Sequence, residues 1–234
     1  MKLTVTQENL NRALQVVGRV ASGKTPLPIL NNILFRTDNN RLLLAATNLE
    51  LAIIQHVGSK IEREGSVTVP ARLMSEFVAA LPKGNVELEV VDGTKMNIVC
   101  GAYKSTINGM APDEFPELPT IEEKQAVTLP IADFKRAIQQ TVVVASTDDT
   151  RPILTGVFCH SHEGQLYFAG TDGYRLAERR ITKTQQEISA VIPVTTLNDV
   201  LRVMNDDMAE AKLQFDDNQV RVLLDDIEVT SRLI

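Results

Sequence analysis

Tryptophan is absent from the 234 residues, and the remaining aromatics are seven Phe and three Tyr. Proteins that hold single-stranded nucleic acid by base stacking need aromatic platforms, so this composition argues against that class. The cores must be aliphatic. Cysteine is nearly absent too, with Cys100 and Cys159 alone. Two thiols cannot make a disulfide framework or a cysteine zinc site, and both are expected as reduced side chains on strands. No apolar run approaches the roughly 18 residues of a membrane span, and the start, Met1-Lys2-Leu3-Thr4-Val5-Thr6-Gln7, has no stretch suited to a signal peptide. A cytoplasmic protein without a membrane partner is expected. Positive charge is also lacking: 24 Lys and Arg stand against 30 Asp and Glu, a net charge of −6. The average field therefore does not draw the chain to DNA or anionic lipid, and any basic surface is local.

Apolar residues make up 44%, close to the globular norm, and the length suits one or two domains. The strongest signal is internal repetition. Leu3–Leu34 lies against Val127–Phe158 without a gap. Arg12-Ala13 then meets Arg136-Ala137, Val20-Ala21-Ser22 meets Val144-Ala145-Ser146, and Pro28-Ile29-Leu30 meets Pro152-Ile153-Leu154. The register continues through Leu42, Ala45 and Thr47 against Leu166, Ala169 and Thr171, and after a one-residue shift aligns Val67–Pro70 with Ala190–Pro193. Two amphipathic segments alike by chance would share a hydrophobic period, but not polar identities in register as well. The chain holds two copies of one domain.

Each copy reads the same way. Lys2–Val5 alternates as a strand, and Thr6 caps a helix with the apolar stripe Leu10, Ala13, Leu14 and Val17. Ile33–Thr37 and Arg41–Thr47 flank the turn residues Asp38-Asn39-Asn40 as a hairpin. Leu51–Val57 and Ser66–Val69 follow as strands, then a second helix after Pro70 with Leu73, Phe77 and Leu81 on one face. Val86–Val91, the turn Asp92-Gly93 and Thr94–Cys100 form another hairpin, with Tyr103–Ile107 as a last strand. Gly109–Lys124, rich in Pro, Asp and Glu, reads as a linker. The expected fold class is α+β, a tandem repeat with antiparallel sheets and two helices per copy. Residues 1–120 form the first domain with its linker and 125–234 the second. The second copy stops at Ile234 where the first continues, so it is expected to be truncated at its C-terminal end.

Few motifs carry chemistry. Gly18 and Gly23-Lys24-Thr25 match a phosphate-binding loop literally. Such a loop needs a strand before it and a helix after it, whereas a helix precedes this one and Pro26 and Pro28 follow. A nucleotide-binding enzyme using Gly18–Thr25 is the alternative function. His160 and His162 share a strand face, but no third ligand stands at a metal-binding spacing. There is no Gly-x-Ser-x-Gly elbow, and neither cysteine has a recognisable partner. Asp148-Asp149 and Asp206-Asp207 sit in expected turns. No catalytic residue, metal or cofactor is expected. The helices hold the remaining signal, because they carry Arg12, Arg19, Arg72, Lys135, Arg136 and Arg202 against Glu8, Glu76, Asp133 and Asp199. They are mildly basic on an acidic chain, which suits either a solvated face or a polyanion.

Several stretches resemble the bacterial DNA sliding clamp family, the beta subunit of the replicative polymerase. They are Pro26-Leu27-Pro28-Ile29-Leu30, Thr47-Asn48-Leu49-Glu50, Val67–Arg72, Phe115-Pro116 and above all Thr171-Asp172-Gly173-Tyr174-Arg175-Leu176. The resemblance covers the chain and implies a processivity factor, not an enzyme. In the family three such domains make a protomer and two protomers close head to tail into a ring around duplex DNA, so the resemblance implies two of the three domains here, with the third expected to be absent. The resemblance places Lys24, Arg72 and Arg136 towards DNA, held topologically and without sequence preference; Lys135, Arg202 and Arg12 join them by helical phase. It also implies a pocket for the short, apolar-ended peptides of the replicative polymerase, the clamp loader and repair proteins. The matching residues are Arg151, Pro152, Leu154, Thr171, Gly173, Tyr174, Arg175 and Leu176. Ser105 and Ile107 match the strand that joins protomers in the homodimer. The family often has His where Tyr174 stands, a larger apolar residue at Ser105, and basic residues at Val194 and Thr195. A duplicated-domain scaffold that never meets DNA is the further alternative.

Overall fold

In the computed structural model, which describes residues 1–22 and 27–234, the turn from strand β1 (Lys2–Thr6) into helix α1 (Gln7–Val17) is made by Thr6, whose hydroxyl accepts the Asn9 N–H at 3.4 Å. That bond satisfies one of the unpaired donors at a helix start. Leu10, Ala13, Leu14 and Val17 are all buried along α1, at the spacing that puts one stripe against a sheet.

The chain divides into two units, Met1–Leu118 and Pro119–Ile234. The first continues with β2 (Asn32–Asp38), β3 (Arg41–Thr47), β4 (Leu51–Gly58), β5 (Lys60–Arg63), β6 (Ser66–Pro70), α2 (Ala71–Ala80), β7 (Asn85–Val91), β8 (Lys95–Cys100) and β9 (Tyr103–Asn108). All pairings are antiparallel. One sheet runs β5-β1-β7-β8-β9, and β4, β3, β2 and β6 pair in that order in the other. Asn39 and Asn40 both take positive φ, 46° and 61°, which is the two-residue turn whose twist suits a hairpin.

The second unit contains β10 (Gln125–Pro130), α3 (Ile131–Thr141), β11 (Gly156–His162), β12 (Gln165–Thr171), β13 (Leu176–Lys183), β14 (Ser189–Pro193), α4 (Val194–Val203), β15 (Glu210–Phe215), β16 (Gln219–Leu224) and β17 (Ile227–Arg232). Its strands pair as β10-β15-β16-β17 and β13-β12-β11-β14. Strand for strand this is the arrangement of the first unit, with β5 as an addition there. The tandem α+β repeat expected from the sequence is present.

Four details differ from the sequence reading. Helix α2 buries Ala71, Met74 and Val78, with Leu81 just beyond, while Leu73 is 51% exposed and Phe77 half-buried. Both sets have helical spacing, and the sheet takes the one carrying the small Ala71 at the strand-to-helix corner. Strand β5 went unread because Lys60-Ile61-Glu62-Arg63 is an edge strand with three exposed polar residues, which gives no apolar alternation. The second hairpin closes on Val91 and Lys95, so Thr94 belongs to its turn. The stretch read as linker is partly core. Phe115 is buried in a cluster with Ile29, Leu30, Leu34, Leu43, Ala45 and Ile54, and Met110 and Leu118 pack against it. Met110 also exchanges backbone hydrogen bonds with Thr68, at 2.9 and 3.2 Å.

Candidate nucleic-acid interface and partner site

The exposed faces of the helices carry the cations expected there, and acids partner several of them. Arg72 on α2 is bound by Glu76 one turn on, at 2.8 Å. Arg202 on α4 is bound by Asp199 at 3.1 Å. Lys135 on α3 reaches Asp206 at 2.7 Å, which holds the Asp206 carboxyl below the usual range through that hydrogen bond and the neighbouring charge. Arg12 on α1 and Arg136 on α3 are exposed at equivalent places in the two copies. Lys24 lies outside the described residues.

The loop Thr171–Leu176 is a tightly bonded turn. The Thr171 hydroxyl donates to the Arg175 carbonyl at 2.7 Å and accepts the Gly173 N–H at 3.0 Å. The Asp172 carboxylate accepts the backbone N–H groups of Arg175 and Tyr174 at 2.8 and 2.9 Å and the Arg175 guanidinium at 3.0 Å. These bonds, the backbone ones foremost, hold its carboxyl down at about 2. Gly173 sits at φ +90°, a conformation that only glycine takes freely. The turn presents Tyr174 at 98% and Leu176 at 70% exposure.

Two adjoining cavities lie beside this turn. A polar one of about 490 Å³ is lined by Asp148, Arg151, Leu154, Asp172, Tyr174 and Arg175 among others. An apolar one of about 310 Å³ is lined by Ile153, Leu154, Gly156, Phe158, Ala169, Thr171 and Val191. Leu154 belongs to both. It comes from the single 3₁₀ turn Pro152–Thr155, which starts where proline leaves no donor to satisfy. Arg151, Leu154, Tyr174 and Arg175 thus gather around one cavity, Leu154 and Thr171 around the other, and Pro152, Gly173 and Leu176 line neither. Neither Leu154 nor Leu176 packs into the core: Leu154 is half-buried and Leu176 stands out. Sequence reasoning missed Ile153, Phe158, Ala169 and Val191. The repeat held the signal, because Ile29 and Leu34 stand where Ile153 and Phe158 stand.

Ser105 and Ile107 lie on β9, the edge of its sheet. Ile107 is 3% exposed and points into the unit, so only the strand's backbone and its outward residues are open to a partner. Of the phosphate-loop match, Gly18 ends α1 and bonds back to Leu14 at 2.9 Å, so a helix delivers the loop. Gly23–Pro26 lies outside the described residues, and Pro28 opens a 3₁₀ turn, not an α-helix. His160 is stacked between Phe158 and Tyr167, with centroids at 4.6 and 5.4 Å. Cys159 is a fully buried free thiol, and burial pushes its pKa up, away from the thiolate form. Among the described residues no three His, Cys, Asp or Glu gather as metal ligands, and no helix is long and apolar enough to cross a membrane.

Two like-built α+β units, each with a helix pair and two antiparallel sheets, define the DNA-clamp class of fold. The family description "DNA polymerase III beta subunit, N-terminal domain" matches residues 1–119, and "DNA polymerase III beta subunit, central domain" matches residues 128–234. The chain belongs to the DNA polymerase III beta subunit family. It is 31% identical to the beta sliding clamp of Bacillus subtilis over 245 residues, covering 100% of this chain and 65% of that one. A crystal structure of the DNA polymerase sliding clamp from Bacillus subtilis superposes with a TM-score of 0.95 at 31% identity, over 100% of this chain and 64% of that one. The sliding clamp of Bartonella birtlesii bound to griselimycin gives 0.93 at 27% identity, over 100% and 65%. The chain thus spans a little under two thirds of the length of these relatives.

Proposed function

We propose that the protein acts as a processivity factor in DNA replication. When full length it encircles duplex DNA as part of a ring-shaped homodimer, joined through the backbone edge of β9 that carries Ser105 and Ile107, and it tethers the replicative polymerase, the clamp loader and repair proteins. It makes and breaks no bond and works in the cytoplasm. Arg12 and Arg136, exposed at the same place in the two copies, carry the reading. A repeated fold that sets cations on like helix faces gives a periodic, sequence-blind lining for a phosphate backbone. Arg72, Lys135 and Arg202 add charge that their acidic partners temper, which suits sliding over gripping, and Lys24 belongs with them by resemblance. Arg151, Pro152, Leu154, Thr171, Gly173, Tyr174, Arg175 and Leu176 receive partner peptides, whose apolar ends suit the open apolar cavity at Leu154 and Thr171. The test is DNA synthesis on a primed circle with the polymerase, its clamp loader and ATP. The protein lengthens the products, and linearising the circle abolishes the gain. ATP hydrolysis by the chain alone, lost in Lys24→Ala, would instead establish the nucleotide-binding enzyme.

A further inference from the structure

The turn Thr171–Leu176 has a twin in the first unit. The Thr47 hydroxyl donates to the Leu51 carbonyl at 3.0 Å and accepts the Leu49 N–H at 3.0 Å, and the Asn48 side-chain oxygen accepts the N–H groups of Leu51 and Glu50 at 2.8 and 3.0 Å. Bond for bond, this is the arrangement around Thr171 and Asp172. The side chains on the two frames differ. Where the second unit has Gly173 at φ +90°, the first has Leu49 at φ +77°, and Leu49 is 49% exposed. A leucine is seldom held in this region, and here core packing does not offset the strain. Glu50 stands where Tyr174 stands, is exposed, and has no ion-pair partner among the described residues. Leu27, 48% exposed, stands where Arg151 stands. A Cβ at Gly173 would lie 3.9 Å from an Arg151 guanidinium nitrogen, so the third position of this turn is aimed at that residue. By the repeat, Leu49 is aimed at Leu27, with Glu50 next to it in the turn.

We propose that Leu27, Leu49 and Glu50 form a docking point for a partner protein, one that presents a large apolar side chain followed at once by Lys or Arg. The apolar side chain lies over the two leucines, and the cation meets Glu50. Charge decides the class of segment. In the second unit Arg151 stands beside the turn, and the Asp172 carboxylate there is already met by Arg175 at 3.0 Å. In the first unit Leu27 replaces that arginine and Glu50 adds an acid, so this turn favours a cation in its partner and its twin does not. The frame matters as well. Four side-chain hydrogen bonds fix the turn, so Leu49 is presented with little further ordering on binding. Two leucines make a small patch, which sets the contact at the weak, rapidly reversed end of the range. The inference stands independently of the replication reading, because it concerns a different unit and a different peptide chemistry.

The experiment is an NMR titration of the whole chain with the acetylated, amidated peptide Gly-Ser-Phe-Lys-Arg-Gly, and with its counterpart in which Glu-Glu replaces Lys-Arg. The basic peptide should shift the Leu49 and Glu50 amide signals and bind there about fivefold more tightly than the acidic one, while Gly173 and Tyr174 show no such preference. Glu50→Gln should remove the preference. Leu49→Gly should weaken the basic peptide by about threefold without lowering the urea midpoint, because glycine takes φ +77° freely. No shift at Leu49, a preference that survives Glu50→Gln, or an affinity that survives Leu49→Gly would each overturn the proposal. So would a lower midpoint in Leu49→Gly, which would mean that Leu49 serves stability. Leu49 and Glu50 shifts that grow with protein concentration in the absence of peptide would overturn it too, since the occupant would then be a second copy of the chain.

Discussion

Lys135 in α3 is bound to Asp206, 71 residues further along the chain, at 2.7 Å. A cation proposed to face DNA by helical phase is thus held by an acid of its own unit. Asp206→Asn should free it. Duplex affinity measured by anisotropy at low salt should then rise two- to threefold, with the slope of log K against log salt steeper by up to about one unit. An unchanged slope would place Lys135 away from DNA.

Arg136 has no such partner among the described residues, and it should behave in the opposite way. Arg136→Ala should weaken duplex binding alike for all sequences and make the salt slope shallower by about one. Sequence-dependent loss would contradict a backbone contact.

Helix phase shows where sequence legibility ends. On α1 only one set of apolar residues has helical spacing, so the buried stripe is readable. On α2, Leu73-Phe77 and Met74-Val78 compete, and which wins depends on the sheet beneath. The repeat made the topology readable strand by strand, because both copies obey one hydrophobic pattern. The Thr171–Leu176 turn announced itself through Asp172 and Gly173, whose chemistry is local. Phe115 did not, since its core partners Leu34 and Ile54 are distant in sequence and its neighbours are Pro, Asp and Glu. The Lys135–Asp206 pair was hidden for the same reason: charge arithmetic along a helix does not show an acid arriving from a turn far along the chain.

The Asp172 turn should be acid-sensitive in a defined window. Its carboxyl titrates at about 2 in the folded protein against an ordinary 3.8. Because the folded value is the lower, the stabilisation is complete above about pH 4 and disappears as pH falls towards and through 2. The Tyr174 and Arg175 amide shifts, followed by NMR, should report a midpoint near 2. A midpoint near 3.8 would mean that those hydrogen bonds do not form in solution. Asp172→Asn should remove the titration and loosen the turn at neutral pH.

Gly173→Ala tests backbone strain without crowding, because a Cβ there would meet nothing closer than an Arg151 guanidinium nitrogen at 3.9 Å. With φ at +90°, the substitution should cost about 1 kcal/mol or somewhat more, read as a lower midpoint in urea. Asn at the same place should cost less. No loss with Ala would show that the turn relaxes.

Phe115→Ala should destabilise the first unit by about 3 kcal/mol, the usual cost of emptying a buried aromatic site. Faster hydrogen exchange at Leu34 and Val67 in β2 and β6 would register it. Unaltered exchange would mean that the segment after β9 is dispensable to the core.

The strand order has a consequence for how the protein is made. Thr4 in β1 pairs with Glu87 in β7, and Leu129 in β10 pairs with Ala211 in β15. At roughly 5–20 residues per second on the ribosome, each opening strand waits several seconds for its mate while the hairpins between them close at once. During that wait β1 and β10 are nascent chain with open backbone edges. Both segments alternate apolar with polar residues, so one face of each is solvated and the interval is less prone to aggregation than a wholly apolar strand would make it.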